Sequence, residues 1–225
     1  MMIEIKQVEQ DRKDRSRYHI YGDGDEPLLT VHEDLLIRHM LLKGQSFTAA
    51  QLAEIQSEDQ RYQAYARAIF YLGFKARTSK QIEQYLTRKL FEPEFISYAI
   101  GRLESEHLVD DDEYARQFVK QRVKSGQKGR HWIKQELQQR GVSKEIASEA
   151  ASHIDRETEL AVAKYTAEKK WRSLKGEPND RRRKLIQFLM RRGFPGDIVK
   201  DAVKWVIIDM ELELLDDEDG LLLDN

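Results

Sequence analysis

The 225-residue chain contains no cysteine. This excludes disulfides, thiolate metal sites and a cysteine nucleophile, and it points to a reducing, cytoplasmic setting. Glycine (12) and proline (4) are scarce, which favours helices over a turn-rich β fold. No run approaches the roughly 20 apolar residues of a membrane span. The opening MMIEIKQVEQDRKD has no apolar core of signal-peptide length. There is also no Walker loop, no GxSxG elbow and no pair of histidines at i, i+4. A helical metal site and a catalytic centre are therefore not expected, and no cofactor is expected.

Charge is plentiful: 35% of residues are Asp, Glu, Lys or Arg, against 40% apolar. The net charge of −2 hides an uneven distribution. Residues 206–225 hold eight acids (Asp209, Glu211, Glu213, Asp216, Asp217, Glu218, Asp219, Asp224) and no base. All 38 Lys and Arg and the other 32 acids lie in the first 205 residues, which are therefore at +6. A basic body with an acidic tail is expected to hold the tail in competition with DNA. Truncation after Trp205 is then expected to tighten DNA binding.

Three short strands are expected in the first sixty residues, at MMIEIKQV, SRYHIYGDG and PLLTVHED, with Gly22, Gly24 and Pro27 as turn signals. Two helical pieces follow, over residues 33–42 and 48–56, the second capped by Thr48. From about Gln60 apolar residues recur at three- and four-residue steps, a helical pattern.

The pattern repeats. Residues 133–150, IKQELQQRGVSKEIASEA, slide by 52 onto LIQFLMRRGFPGDIVKDA at 185–202. Leu137 meets Leu189, Arg140 meets Arg192, Gly141 meets Gly193, Ile146 meets Ile198 and Ala150 meets Ala202. Slid back by 51, the segment fits IEQYLTRKLFEPEFISYA at 82–99, with Leu90 where the glycine stood. This predicts three tandem units of about fifty residues, each of three helices whose narrow apolar stripes must pack on one another. The expected segments are a strand-containing 1–59, repeats at 60–108, 109–155 and 156–208, and an acidic tail at 209–225.

The middle helix of each repeat begins among cations. These are Arg77 and Lys80, then Lys128, Arg130 and His131, then Arg181, Arg182, Arg183 and Lys184. Cations oppose the positive end of the helix dipole by about 0.3–1 kcal/mol each. Free N–H groups with fixed cations make an anion site, for phosphate or an acidic partner. The alternative is solvated surface charge, neutralised by Asp180, Glu177 or the tail. Arg116, Lys120 and Lys124 form an i, i+4 ridge beside the apolar Ala115, Phe118, Val119 and Val123. Lys169, Lys170, Arg172 and Lys175 surround Trp171, which is either a partly buried helix anchor or a surface on which a base stacks. The GxxG in SGQKGR is flanked by helices rather than strands and reads as an inter-helix turn, with Lys128 placed for an anion.

The acids of LVDDDEYARQFVKQRV, residues 108–123, point about 100° apart on a helix and do not converge on a metal. Asp110 is a helix cap, and Asp111, Asp112 and Glu113 occupy the first turn, where negative charge is favoured.

Three segments, YLGFKARTSKQIEQYLTRKL, AIGRLESEHLVDDDEYARQFVKQRV and GRHWIKQELQQRGV, resemble the RecX family, bacterial regulators of the RecA recombinase. The resemblance is clear over residues 65–142 and continues to about 206. The N-terminal part resembles the extension of the longer, Gram-positive-type members. The resemblance implies a mainly α, elongated and curved array of three three-helix repeats, preceded by a small α+β segment. It also implies a non-enzymatic, monomeric protein that binds the RecA filament and inhibits recombinase and ATPase activity in DNA repair, homologous recombination and the SOS response. Weak, sequence-non-specific DNA binding goes with it. The family's basic positions fall here on Arg116, Lys120, Arg130 and Lys134. Leu90 departs from the family's usual glycine, and the acidic tail is not a firm family trait. The full basic face adds Arg77, Lys80, Lys124, Lys128, Lys169, Lys170, Arg172, Arg181, Arg182, Arg183, Lys184, Arg191 and Arg192. The competing reading is a nucleic-acid-binding protein that acts on single or double strands without RecA.

Overall fold

The structure, a computed structural model, describes residues 2–126 and 128–221, with residues 209–221 as backbone only. It divides into two compact units. One comprises residues 1–77 and 82–109; the other comprises Thr78–Gln81 and the described residues from Asp110 onward.

The first unit opens with five short strands rather than the three expected. β1 (Met2–Glu4) pairs antiparallel with β5 (Ser46–Thr48), while β2 (Gln7–Gln10), β3 (Arg17–Tyr21) and β4 (Pro27–His32) form an antiparallel sheet in the order β2-β3-β4. MMIEIKQV is two strands because the chain changes partner at its middle. The Ile5 N–H donates to the Gln45 carbonyl (2.8 Å) and the Lys6 N–H to the Tyr21 carbonyl (2.9 Å), and the Ile5 side chain is fully buried. Helix α1 (Glu33–Arg38) stops short of the expected residue 42, with Met40 in the left-handed region at φ 50.

The two helical stretches expected on either side of Gln60 are one, α2 (Ala49–Leu72). It contains neither glycine nor proline. Thr48 caps it with Gln51 in a reciprocal capping box. Leu52 and Ile55 pack with Ile5, Ile20 and Val31 of the sheet region. Ala64 and Ala68 pack with α3 (Ser79–Arg88) and α4 (Pro93–Ser105) through Ile82, Leu86, Ala99 and Leu103. Asp59, fully buried, locks α2 to the sheet by accepting from Arg17 Nη2 (2.8 Å), Gln63 Nε2 (2.6 Å) and the His32 N–H (2.9 Å).

The second unit holds α5 (Asp111–Ser125), α6 (Arg130–Gln139), α7 (Lys144–Ser152), α8 (Arg156–Ser173), α9 (Pro178–Arg191) and α10 (Gly196–Leu221). Asp110 caps α5 as expected, accepting the Glu113 N–H at 2.8 Å. Middle helices α3, α6 and α9 bury the same two positions completely: Ile82 and Leu86, Ile133 and Leu137, Leu185 and Leu189. The fold is mainly helical, with three tandem helix trios behind a small strand-containing segment.

The turn after each middle helix is left-handed: φ is 64 at Leu90, 91 at Gly141 and 81 at Gly193. Leu90 stands in the expected glycine position and is 89% exposed. The tail expectation falls on residues 209–225, whose side chains lie outside the described ones. The truncation point needs correction: Val206, beyond Trp205, is fully buried in the core. A cut that spares the fold must follow Ile208.

Candidate nucleic-acid interface

Two of the three cation-rich helix starts are already filled from within the chain. At α6, the Arg130 N–H donates to Glu159 Oε1 (2.7 Å), Arg130 Nε donates to Oε2 (2.6 Å), and Nη2 reaches the Ile154 carbonyl (3.1 Å). Glu159, on α8, is only 2% exposed. The Gly129 and His131 N–H groups donate to the carbonyls of Arg192 (2.9 Å) and Gly193 (3.0 Å). The anion expected at Arg130 is thus a side chain of the next repeat. This corrects the expectation of an open phosphate site there: the backbone N–H groups at the start of α6 are taken within the chain, and the dipole conflict is resolved by a buried carboxylate.

The start of α3 follows the same plan. The Thr78 hydroxyl, fully buried, donates to the Arg140 carbonyl (2.6 Å), and the Ser79 N–H donates to Asp111 Oδ1 (2.9 Å). Asp111 therefore does more than begin its own helix. Each docking leaves no room for a side chain in the receiving turn. A Cβ on Gly141 would meet Lys80 at 2.2 Å, and one on Gly193 would meet the Trp132 nitrogen at 2.3 Å.

The start of α9 is different. Its cap residue, Glu177, makes no side-chain capping bond. Arg181 lies with Cζ 4.1 Å from the Trp171 ring centre and donates to the Trp171 carbonyl (3.3 Å). Trp171 itself is 7% exposed and packs with Leu185 and Leu189. It is a helix anchor covered by arginine, so it offers no stacking surface. Arg183 Nη2 lies 3.5 Å from Asp180, so the expected neutralisation by that acid is partial. Arg182 and Lys184 are exposed and have no ion pair among the described residues.

Between these helix starts, cations and rings alternate in a pattern the sequence does not reveal. Arg122 and Arg140 place Cζ 4.9 and 4.8 Å from the Phe118 ring centre, and both donate to Glu136 (2.6 and 2.8 Å). Lys128 Nζ sits 4.1 Å from the Trp132 ring centre. Burial first, and then the positive charge of Arg192, push the Lys128 ammonium below its ordinary value. Arg192 and Lys170 flank Phe188, at 5.0 and 5.4 Å. The one signal in the sequence was the shared period of Arg140 and Arg192.

The remaining candidates separate by surroundings. Arg116, Lys120, Lys124, Arg172 and Arg191 are exposed, as is Lys80 at the α3 docking. The ridge lies beside buried Ala115, Phe118 and Val119, as its spacing required, and Arg116 donates to Glu113 (2.9 Å). Lys134 is half-buried, and Arg77 covers the Tyr71 ring at 4.2 Å. Charge is segregated along the chain. Residues 1–109 carry 15 Lys and Arg against 17 acids, whereas residues 110–208 carry 23 against 15, a net of +8.

Among the described residues no group of three His, Asp or Glu is placed to hold a metal ion, and no helix is long and apolar enough to cross a membrane.

This architecture has known counterparts. Family models for the first, second and third three-helix domains of RecX match residues 64–103, 110–150 and 157–203. A protein named regulatory protein RecX from Limosilactobacillus reuteri is 32% identical over 206 residues, covering 90% of this chain and 77% of that one. The protein of the same name from Clostridium botulinum is 30% identical, covering 92% and 97%. A crystal structure of regulatory protein RecX superposes with a TM-score of 0.73 at 30% identity, over 88% of this chain and 97% of that one. RecX from Lactobacillus salivarius gives 0.63 at 26% identity, over 67% and 99%. Matched in all three helix trios and along nearly its whole length, the chain belongs to the RecX family.

Proposed function

We propose that the protein is a regulator of RecA that binds the RecA–DNA filament and lowers its recombinase and ATPase activity, in DNA repair and the SOS response. Membership of a family of regulatory proteins, over nine-tenths of the chain, carries this reading. The net +8 of residues 110–208 adds to it, because exposed cations suit a phosphate-bearing filament. The protein acts in the cytoplasm, as a monomer, by binding rather than by catalysis. The contacts lie on the exposed cations of α5, α8 and α9: Arg116, Lys120, Lys124, Lys169, Arg172, Arg182, Arg183, Lys184 and Arg191. Titrating the protein into ATP-driven strand exchange by the cognate RecA tests this. Exchange and ATP hydrolysis fall as the protein approaches stoichiometry with RecA, and unchanged rates at that point overturn the reading.

The second reading, nucleic-acid binding without RecA, draws on the same excess of positive charge. It requires tight binding to bare single strands and a steep loss of affinity with salt. Arg182, Arg183 and Lys184 are the residues to change. Arg181 is left intact because it covers Trp171.

A further inference from the structure

A groove of about 600 Å³ runs between α9 and α10. Its apolar lining is Ile186 and Met190 from α9 and Val199, Val203, Ile207 and Ile208 from α10. The spacings are helical: 186 and 190 lie on one face of α9, and 199, 203 and 207 form one row of α10. Val199 and Val203 are buried and make the floor, whereas Met190 and Ile208 are about half exposed. The charged lining is Arg182, Lys200 and Lys204, and no carboxylate contributes to it. All three cations are exposed and have no ion pair among the described residues. The acids beside them in the sequence of α10, Asp197 and Asp201, are both engaged by Arg156.

An apolar floor with a cationic rim fits a helix that carries aliphatic residues on one side and acids around them. From Gly196 to Ile208 the groove follows α10 for about 18 Å, or roughly three helical turns. The chain itself contains a segment of that chemistry. Residues 209–221, the C-terminal half of α10, hold seven acids and no base. In the sequence, the row of 199, 203 and 207 continues at Met210, Leu214 and Leu221. This stretch prolongs α10 by about 20 Å beyond Ile208. As part of that helix it cannot lie in the groove of its own chain. A second copy brings it there. Two α10 helices set antiparallel about a two-fold axis near Ile207 and Ile208 lay each acidic half on the groove half of the other. Position 204 then stands opposite roughly position 211, and position 200 opposite roughly position 215.

We propose that two copies of this chain pair through α10, the acidic stretch 209–221 of each seated in the α9–α10 groove of the other. The pair covers Arg182 in both copies, so it is an idle form, and the monomer is the form that meets nucleic acid. That consequence rests on the function proposed above; the pairing itself needs neither RecA nor DNA.

Sedimentation of the full chain from about 1 to 200 µM tests the pairing, and the chain passes from monomer to dimer within this range. K200E with K204E weakens pairing roughly tenfold, and so does E211K with D216K. Mixed together, the two variants pair about as tightly as the unaltered chain, because each stretch again meets a groove of opposite charge. M190D weakens pairing through the apolar lining. The control K120E with K124E makes the same charge change on α5 and alters pairing by no more than about twofold. Thermal melting shows whether each variant is folded. Truncation after Ile208, which spares the core, abolishes pairing and decides the matter if a charge variant is unfolded. A chain that stays monomeric throughout the range overturns the proposal. Pairing that survives the truncation, or a mixture that pairs no better than either variant alone, overturns it as well. Each of these results leaves RecA inhibition standing. Conversely, the expected pairing in a chain that does not slow strand exchange removes the regulatory reading and leaves the dimer.

Discussion

Residues 1–109 and 110–208 are similar in length and opposite in charge, at −2 and +8. Each half is nevertheless organised around one buried carboxylate. In the first unit Asp59 ties a helix to a sheet and takes up Arg17. In the second Glu159 ties one helix repeat to the next and takes up Arg130. A positive surface and a buried acid are thus compatible in one unit. The acid serves the contact between repeats, and the uncompensated cations stay outside. Without that separation Arg130 and Lys184, both at the start of a middle helix, would look alike.

The largest expected effect comes from removing the acid of the second unit. E159A leaves Arg130 without its carboxylate and three-way contact, and it is expected to lower stability by about 3–5 kcal/mol. Urea denaturation measures this, and E159Q, which keeps a hydrogen-bond acceptor, loses less. Next comes the receiving turn. G193A must place a Cβ against the Trp132 backbone in a left-handed conformation, and about 3 kcal/mol is expected from strain and overpacking together. A loss of less than about 1 kcal/mol would mean that the repeats do not need this close approach.

A functional contrast follows in size. Replacing Arg182, Arg183 and Lys184 by alanine is expected to weaken single-strand binding about tenfold at low salt and to flatten its salt dependence. Replacing Arg12, Lys13 and Arg15, three cations of the negative half, leaves both almost unchanged. The smallest effect goes the other way. L90G relieves the left-handed strain of an exposed leucine and is expected to stabilise the first unit by about 1 kcal/mol, read as a higher melting temperature. Both changes favour glycine at the left-handed turn position, and the effect is larger at Gly193, which receives a neighbour, than at Leu90, which is left in solvent.

Much of the fold is legible in the chain because it rests on local rules. The period of apolar residues marks the helices, Thr48 and Asp110 mark two of their starts, and the 51- and 52-residue shifts mark the repeats. Five strands emerged where three were expected because strand pairing depends on partners. The chain changes its partner between Ile5 and Lys6, and β5 exists only because β1 lies beside it. The boundary expected near Gln60 runs through a continuous helix, since no glycine or proline interrupts α2. The cationic surface was legible in part. The ridge of Arg116, Lys120 and Lys124 faces solvent as its spacing requires, whereas Arg130 and Arg181 are spent on internal contacts.

The sequence by itself determined where helices form, that there are three similar trios, and that positive charge exceeds negative outside the tail. These follow from neighbours within one or two turns. Only the tertiary structure decided which cations are free for a partner. Arg130 is satisfied by a carboxylate 29 residues away, whereas Lys184, at the start of the next middle helix, is exposed and has no ion pair among the described residues. Pairing of this kind is set by how helices pack, and a charge repeated along the chain carries no record of it.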